Sequence, residues 1–149
     1  MVQNPPEGNQ RIIPYILYDD APAALDFLCR AFGFTERFRI PMDDGALGHA
    51  EIAIEDNIVM LATAIESDGH ASPRNLAARH SMICSYVDDV DSHFQAACEA
   101  GATIKQEPAD QFYGDRTYWA EDPEGHWWLF HTHVKDVPLD ELSPPEACS

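Results

Sequence analysis

Along the 149-residue chain, apolar positions recur first at strand spacing, then at helix spacing, then at strand spacing again, and this succession occurs twice. Residues 12–18, IIPYILY, form an apolar run of strand length. The following segment, DDAPAALDFLCRAFGF, puts Ala24, Leu25, Leu28 and Phe32 on one side of a helix. Asp19 or Asp20 is placed to cap that helix, Pro22 falls in its first turn, where a missing N–H costs nothing, and Gly33 ends it. Three extended pieces come next, near 34–41, 46–54 and 58–64, the last two joined by the turn EDN. In GHAEIAI, Ala50, Ile52 and Ile54 share one face while His49, Glu51 and Ala53 share the other.

The second half repeats the order. Laid over VDDVDSHFQAACEA (87–100), YDDAPAALDFLCRA (18–31) matches Asp19 with Asp88, Asp20 with Asp89, Leu25 with Phe94 and Cys29 with Cys98. Further on, GHAEIAIED (48–56) falls on GDRTYWAED (114–122), pairing Gly48 with Gly114 and both Glu-Asp turns. Two collinear blocks with matching turn residues predict a duplicated strand-helix-strand-strand-strand unit. The expected divisions are an N-terminal tail at 1–10, a first module at 11–65, a linker at 66–79 opening with ESDGHASPRN, a second module at 80–136 and a C-terminal tail at 137–149. In the last hairpin, Arg116, Tyr118 and Ala120 alternate with Thr117, Trp119 and Glu121, and Trp127, Leu129 and His131 alternate with Trp128, Phe130 and Thr132. Both faces are apolar, as in a sheet with a core on one side and a cavity on the other. The turn between these strands, EDPEGH, reads as a tight connection made by Pro123 and Gly125.

Charge narrows the partners. With 26 acidic against 9 basic side chains and a net charge of −17, nucleic acid is excluded as a partner, because phosphate binding needs clustered Lys and Arg. A neutral or cationic small molecule stays open. The start, MVQNPPEGNQ, has neither a basic nor an apolar leader segment, and no apolar run reaches the roughly 20 residues of a membrane span, so a cytoplasmic protein is expected. Cys29, Cys84, Cys98 and Cys148 lack metal-type spacing and read as free thiols. No G-x-S-x-G, no Gly-rich phosphate loop and no Cys in an electropositive context is present, which disfavours covalent catalysis.

The stretches HAEIAIEDNIVML and FYGDRTYWAEDPEGHWWLFHTHVKDV resemble the two signature stretches of the vicinal oxygen chelate superfamily, which includes glyoxalase I, bleomycin-resistance proteins and extradiol dioxygenases, and more narrowly its PhnB-like branch. That resemblance implies an α+β fold in which two βαβββ modules form a curved eight-stranded mixed sheet enclosing a cavity, and a homodimer. It also places a divalent metal on the first and fourth strands of each module. Here those four places hold Ile13 or Pro14, Met60 or Leu61, Met82 or Ile83, and Leu129. Hydrocarbon and thioether groups do not ligate a hard oxygen-chelating ion, so no cofactor is expected.

The depth of Leu129 assigns the face of Trp127, Leu129 and His131 to the cavity, with Tyr113, Trp119, Met82 and Met60 as further ligand-binding residues and Phe112 at the rim. Arg116 has two readings, an internal ion pair or a cation for an anionic ligand. His131 and His133 read as solvent-facing residues at the end of a strand. The expected function is binding of a planar or cationic small organic molecule, as in antibiotic sequestration. The alternative is a glyoxalase-like lyase, isomerase or dioxygenase. It would use Glu51 as general base with His49 as its partner, or a displaced Zn, Ni or Fe ion on His49, Glu51 and His80.

Overall fold

A computed structural model describes residues 1–143. The strands and helices run β1 (Tyr15–Tyr18), α1 (Ala21–Phe32), β2 (Thr35–Pro41), β3 (Leu47–Ile54), β4 (Asn57–Thr63), β5 (Met82–Tyr86), α2 (Val90–Glu99), β6 (Thr103–Asp110), β7 (Asp115–Glu121) and β8 (Trp127–His133). The local signals act where the sequence puts them. The Asp20 side chain accepts a hydrogen bond from the backbone N–H of Ala23, Pro22 sits in the first turn, and Gly33 closes α1 in the left-handed conformation. Asp89 caps α2 through the N–H groups of Asp91 and Ser92. β1 begins at Tyr15 rather than residue 12, since Pro14 has no N–H to add to a ladder and Ile12 lies exposed.

Each half of the chain forms its own four-stranded sheet, with order β1-β4-β3-β2 in the first and β5-β8-β7-β6 in the second. In both, the strand before the helix lies parallel to the last strand, and the other pairings are antiparallel. The expected single eight-stranded sheet is therefore corrected to two separate sheets. Among the described residues no strand of one sheet pairs with a strand of the other. Instead each helix covers one face of its own sheet, and the two helices meet, so that Tyr18, Leu25, Phe32, Ile52 and Leu61 share a single core with Val90, Ala97, Tyr118, Trp128 and Phe130. Phe32 is its hub, 5.6 Å from Trp128 and 4.9 Å from Phe130 between ring centroids. The reason is the amphipathic helices themselves. Once one side of each is buried on its sheet, the rest of its apolar surface is best buried on the other helix, which turns the second face of each sheet outward.

The seam between the modules is asymmetric. On the β1 side, the five-residue turn Asp122–His126 reaches across to module one. Asp122 accepts from Tyr18 Oη at 2.7 Å, Glu124 accepts from the N–H groups of Asp19 and Asp20 and from Ser72, and the His126 Nε2–H donates to the Leu17 carbonyl at 2.9 Å. This corrects the reading of EDPEGH as a simple connection. On the β5 side, the corresponding turn of module one has only Glu55 and Asp56, and a cavity of about 640 Å³ remains, bordered by Phe32, Phe34, Ile58, Ile83 and His93. No helix among the described residues is long and apolar enough to cross a membrane.

Candidate functional site

Strand alternation decides what the outward faces carry. On module two, Met82, Cys84 and Tyr86 of β5, Asp115, Thr117, Trp119 and Glu121 of β7, and Trp127, Leu129 and His131 of β8 lie opposite the core residues Ile83, Tyr118, Ala120, Trp128 and Phe130. Trp119 and Trp127 meet edge to face, 4.9 Å between centroids at 83°. Trp127 Nε1 donates to Glu121 Oε2 at 2.9 Å, whereas the Trp119 indole N–H is buried without a partner. Leu129 sits between Cys84 and Trp119 in the register. The result is an aromatic and aliphatic patch with one unused donor.

At the far end of the same face, the buried carboxylate of Asp115 gathers three donors. Tyr86 Oη lies at 2.8 Å and His131 Nδ1 at 2.9 Å from Oδ2, and His133 Nδ1 lies at 2.7 Å from Oδ1. The antiparallel register makes this possible by pairing Asp115 with His133 and Thr117 with His131. Burial pushes the Asp115 carboxyl up, but the hydrogen bonds from His133, Tyr86 and His131 outweigh it and hold the group below the usual carboxylate range. His133 moves the other way: its bonds to Asp115 and Asp136 raise it above the ordinary imidazole value. Tyr86 is raised by its bond to Asp115 and Tyr113 by burial, so both phenols keep their protons.

The pH consequence has a definite sign. The lowered Asp115 contributes stability that is complete above the ordinary carboxylate pKa and is lost as pH falls through its folded value. The raised His133 contributes stability complete below the ordinary imidazole pKa and lost as pH rises through its folded value. The pair is therefore strongest between those two ranges. Asp115→Asn should bring His133 back toward the ordinary imidazole pKa, read from its ring-proton shifts in an NMR titration. An unchanged His133 midpoint would show that Asp136 alone sets it.

The outward face of module one is organised differently. Tyr15 Oη lies 2.8 Å from His49 Nδ1, His49 Nε2 lies 3.4 Å from Glu51 Oε1, and Arg37 Nη1 donates to Glu51 Oε2 at 2.6 Å. Neutral His49 then holds its proton on Nε2 toward Glu51 and accepts from the Tyr15 hydroxyl. Burial and the Glu51 charge raise Tyr15, which stays protonated. Beside this chain runs a groove of about 680 Å³ bordered by Tyr15, Leu17, Leu47, Ala62 and Ile65.

Trp119, Trp127, Leu129 and Met82 share one face, with Tyr113 in the stretch leading into β7 and its ring 6.3 Å from His131. Met60 lies on the other sheet, beside Tyr15 and Glu51. Leu61 and Ile83 point into the core, so Met60 and Met82 are the members of those pairs that an outward-facing site would meet. Arg116 is corrected as a ligand residue. It lies on the α2 side and forms ion pairs with Asp91 and Asp110 at 2.9 Å, as strand alternation from Trp119 requires. His131 is also corrected: it is buried, not solvent-facing, and His133 is half-exposed but tied to Asp115 and Asp136. His49 and Glu51 do come together, but His80 lies exposed ahead of β5 in the other half. Among the described residues no three His, Cys, Asp or Glu side chains gather in a group able to hold a metal. Cys29, Cys84 and Cys98 are free thiols, and Cys148 lies outside the described residues.

The family model for the Glyoxalase/Bleomycin resistance protein/Dioxygenase superfamily matches residues 12–130, covering both sheets and both helices up to the middle of β8. The chain belongs to this superfamily. The chain is similar to the uncharacterized protein Rv0887c of Mycobacterium tuberculosis, 37% identical over 132 residues, covering 87% of this chain and 78% of the relative. The crystal structure of TioX from Micromonospora sp. ML1 is 33% identical with a TM-score of 0.67, covering 85% of this chain and all of that one. The fosfomycin resistance protein FosX from Mesorhizobium loti shares the fold at 18% identity, with a TM-score of 0.61 over 89% of this chain and 94% of that one.

Proposed function

We propose that this glyoxalase-superfamily protein binds a small planar organic molecule on its aromatic face, without the divalent metal of the catalytic members. The observation that carries the reading is the Trp119–Trp127 pair on an outward face beside Leu129 and Met82. Stacking on indole edges and faces favours a flat ligand, and the net charge of −17 favours a neutral or cationic one. Two of the four places that the family uses for metal ligands hold Met60 and Leu129, and neither supplies the carboxylate or imidazole a hard ion requires. Antibiotic sequestration within a PhnB-like branch is the finer form of this proposal. A second copy of the chain completes the site, because each face alone leaves Tyr15, Phe38, Met82 and Tyr86 substantially exposed and bounds a ligand on one side only.

One observation favours a second reading, a metal-free enzyme: the Tyr15–His49–Glu51 chain on the other face. In it His49 is the better proton carrier, since Arg37 occupies Glu51 Oε2. Metal analysis and tryptophan fluorescence separate the readings. The binding reading expects no stoichiometric transition metal in the purified protein. It expects quenching by planar aromatic probes such as ethidium or para-nitroanisole, with affinity falling about tenfold in Trp119→Ala, the loss of one stacking contact of roughly 1.4 kcal/mol. A stoichiometric metal that disappears in His49→Ala would overturn it.

A further inference from the structure

His131 Nε2 is buried without a hydrogen-bond partner, on the same strand face as Leu129 and Trp127. His131 is 8% exposed, and its Nδ1 lies 2.9 Å from Asp115 Oδ2. Asp115 is an ionised acceptor that also takes hydrogen bonds from Tyr86 and His133, so the Nδ1 of neutral His131 must carry the ring proton. Nε2 is left as a bare lone pair. A buried acceptor with no donor costs on the order of 1–3 kcal/mol, which a donor from outside the chain would remove. The surroundings limit what that donor is attached to. The Tyr86 ring lies 5.1 Å and the Tyr113 ring 6.3 Å from the His131 ring. Trp119 is paired with Leu129, and Leu129 stands two residues before His131 on β8, about 7 Å along the strand. That is the span of one substituted aromatic ring.

We propose that His131, positioned by Asp115, accepts a hydrogen bond, or the proton itself, from a hydroxyl group on an aromatic ligand whose ring lies against Trp119 and Leu129. The ligand class is thus neutral hydroxylated aromatic compounds, a refinement that rests on the aromatic-face reading above. If the proton moves, the ligand O–H bond breaks, its electron pair stays on the phenolate oxygen, and the proton joins Nε2. The resulting imidazolium sits beside the Asp115 carboxylate, and no other reactant is needed. The strong negative charge of the chain favours entry as the neutral phenol. The Tyr86 ring, 62% exposed, and the Tyr113 ring, outside the strands, border His131 on this face.

The test compares para-nitrophenol with para-nitroanisole, its methyl ether, by equilibrium dialysis against the full chain. The wild-type protein is expected to bind the phenol roughly tenfold tighter than the ether, one donor's worth of affinity. His131→Phe should abolish that preference, and Asp115→Asn should lower the nitrophenolate absorbance of the bound probe. Equal binding of phenol and ether by the wild type would overturn the His131 assignment while leaving the aromatic face standing. Binding of neither would overturn both. Should His131→Phe misfold, judged by its near-ultraviolet tryptophan spectrum, the wild-type comparison decides alone.

Discussion

Asp122→Ala should lower the unfolding free energy by about 4 kcal/mol. The residue is buried, and its two oxygens serve both modules. Oδ2 accepts from Tyr18 Oη at 2.7 Å and from Trp128 Nε1 at 3.1 Å, while Oδ1 accepts the N–H groups of Glu124 and His126 at 3.1 Å. Tyr18 and Trp128 are fully buried, so truncation leaves two donors in the core with no acceptor and no access to water. Each orphaned donor costs about 1–3 kcal/mol, and the freed turn adds to that. Burial, and then the Asp122 charge, hold the Tyr18 phenol well above its usual pKa, so it cannot relieve the loss by ionising. Asp122→Asn keeps one acceptor oxygen and should lose roughly half as much. Urea denaturation followed by tryptophan emission measures both. A loss below about 1 kcal/mol for the alanine variant would show that the modules are held by the apolar core alone.

Gly114→Ala is expected to cost roughly 3 kcal/mol and to disturb the Asp115 cluster at the same time. Gly114 has φ +98°, a conformation that side chains avoid, and a Cβ there would run into the Lys135 carbonyl. The Gly114 carbonyl also accepts the N–H groups of Val134 and Lys135 at 3.0 and 2.9 Å, which ties the start of β7 to the chain after β8. Relief of the clash must move one backbone against the other, and Asp115 and His133 are the next residues on each side. Gly33→Ala is the control. It shares a positive φ of 75° but has nothing within 4 Å of the added carbon, so the cost should stay near 1 kcal/mol and the His133 titration should not move. If the two variants lose the same stability, close approach to Lys135 is not the reason for glycine at 114.

The caps of α1, its glycine stop and the repeated order of elements were all legible because they are local: a carboxylate three residues before an amide, a proline where no donor is required, and alternation that a strand imposes on its own side chains. Alternation also put Trp127 and Leu129 on the face opposite Trp128 and Phe130, and Arg116 on the face opposite Trp119. It could not say that His131 is buried. In sequence the residue stands in HTHVKD at the end of a strand, and only the pairing of β7 with β8, with Tyr86 of β5 closing on the same carboxylate, removes it from water. The turn DPEGH has sufficient turn chemistry of its own to explain Pro123 and Gly125. Its acidic residues are bonded to Tyr18, Asp19 and Asp20, more than 100 positions away, and no local pattern announces such partners.

By itself, then, the sequence determined the two βαβββ units, their caps and turns, and the split of each strand into two faces, because each rests on dihedral preferences and periodicities a few residues long. Only the tertiary structure decided that the helices meet in a common core and leave both aromatic faces outward, and that Asp115 and Asp122 become hubs. Those outcomes depend on which apolar surfaces are buried together and which buried donors then need an acceptor, and both are set by contacts between distant parts of the chain.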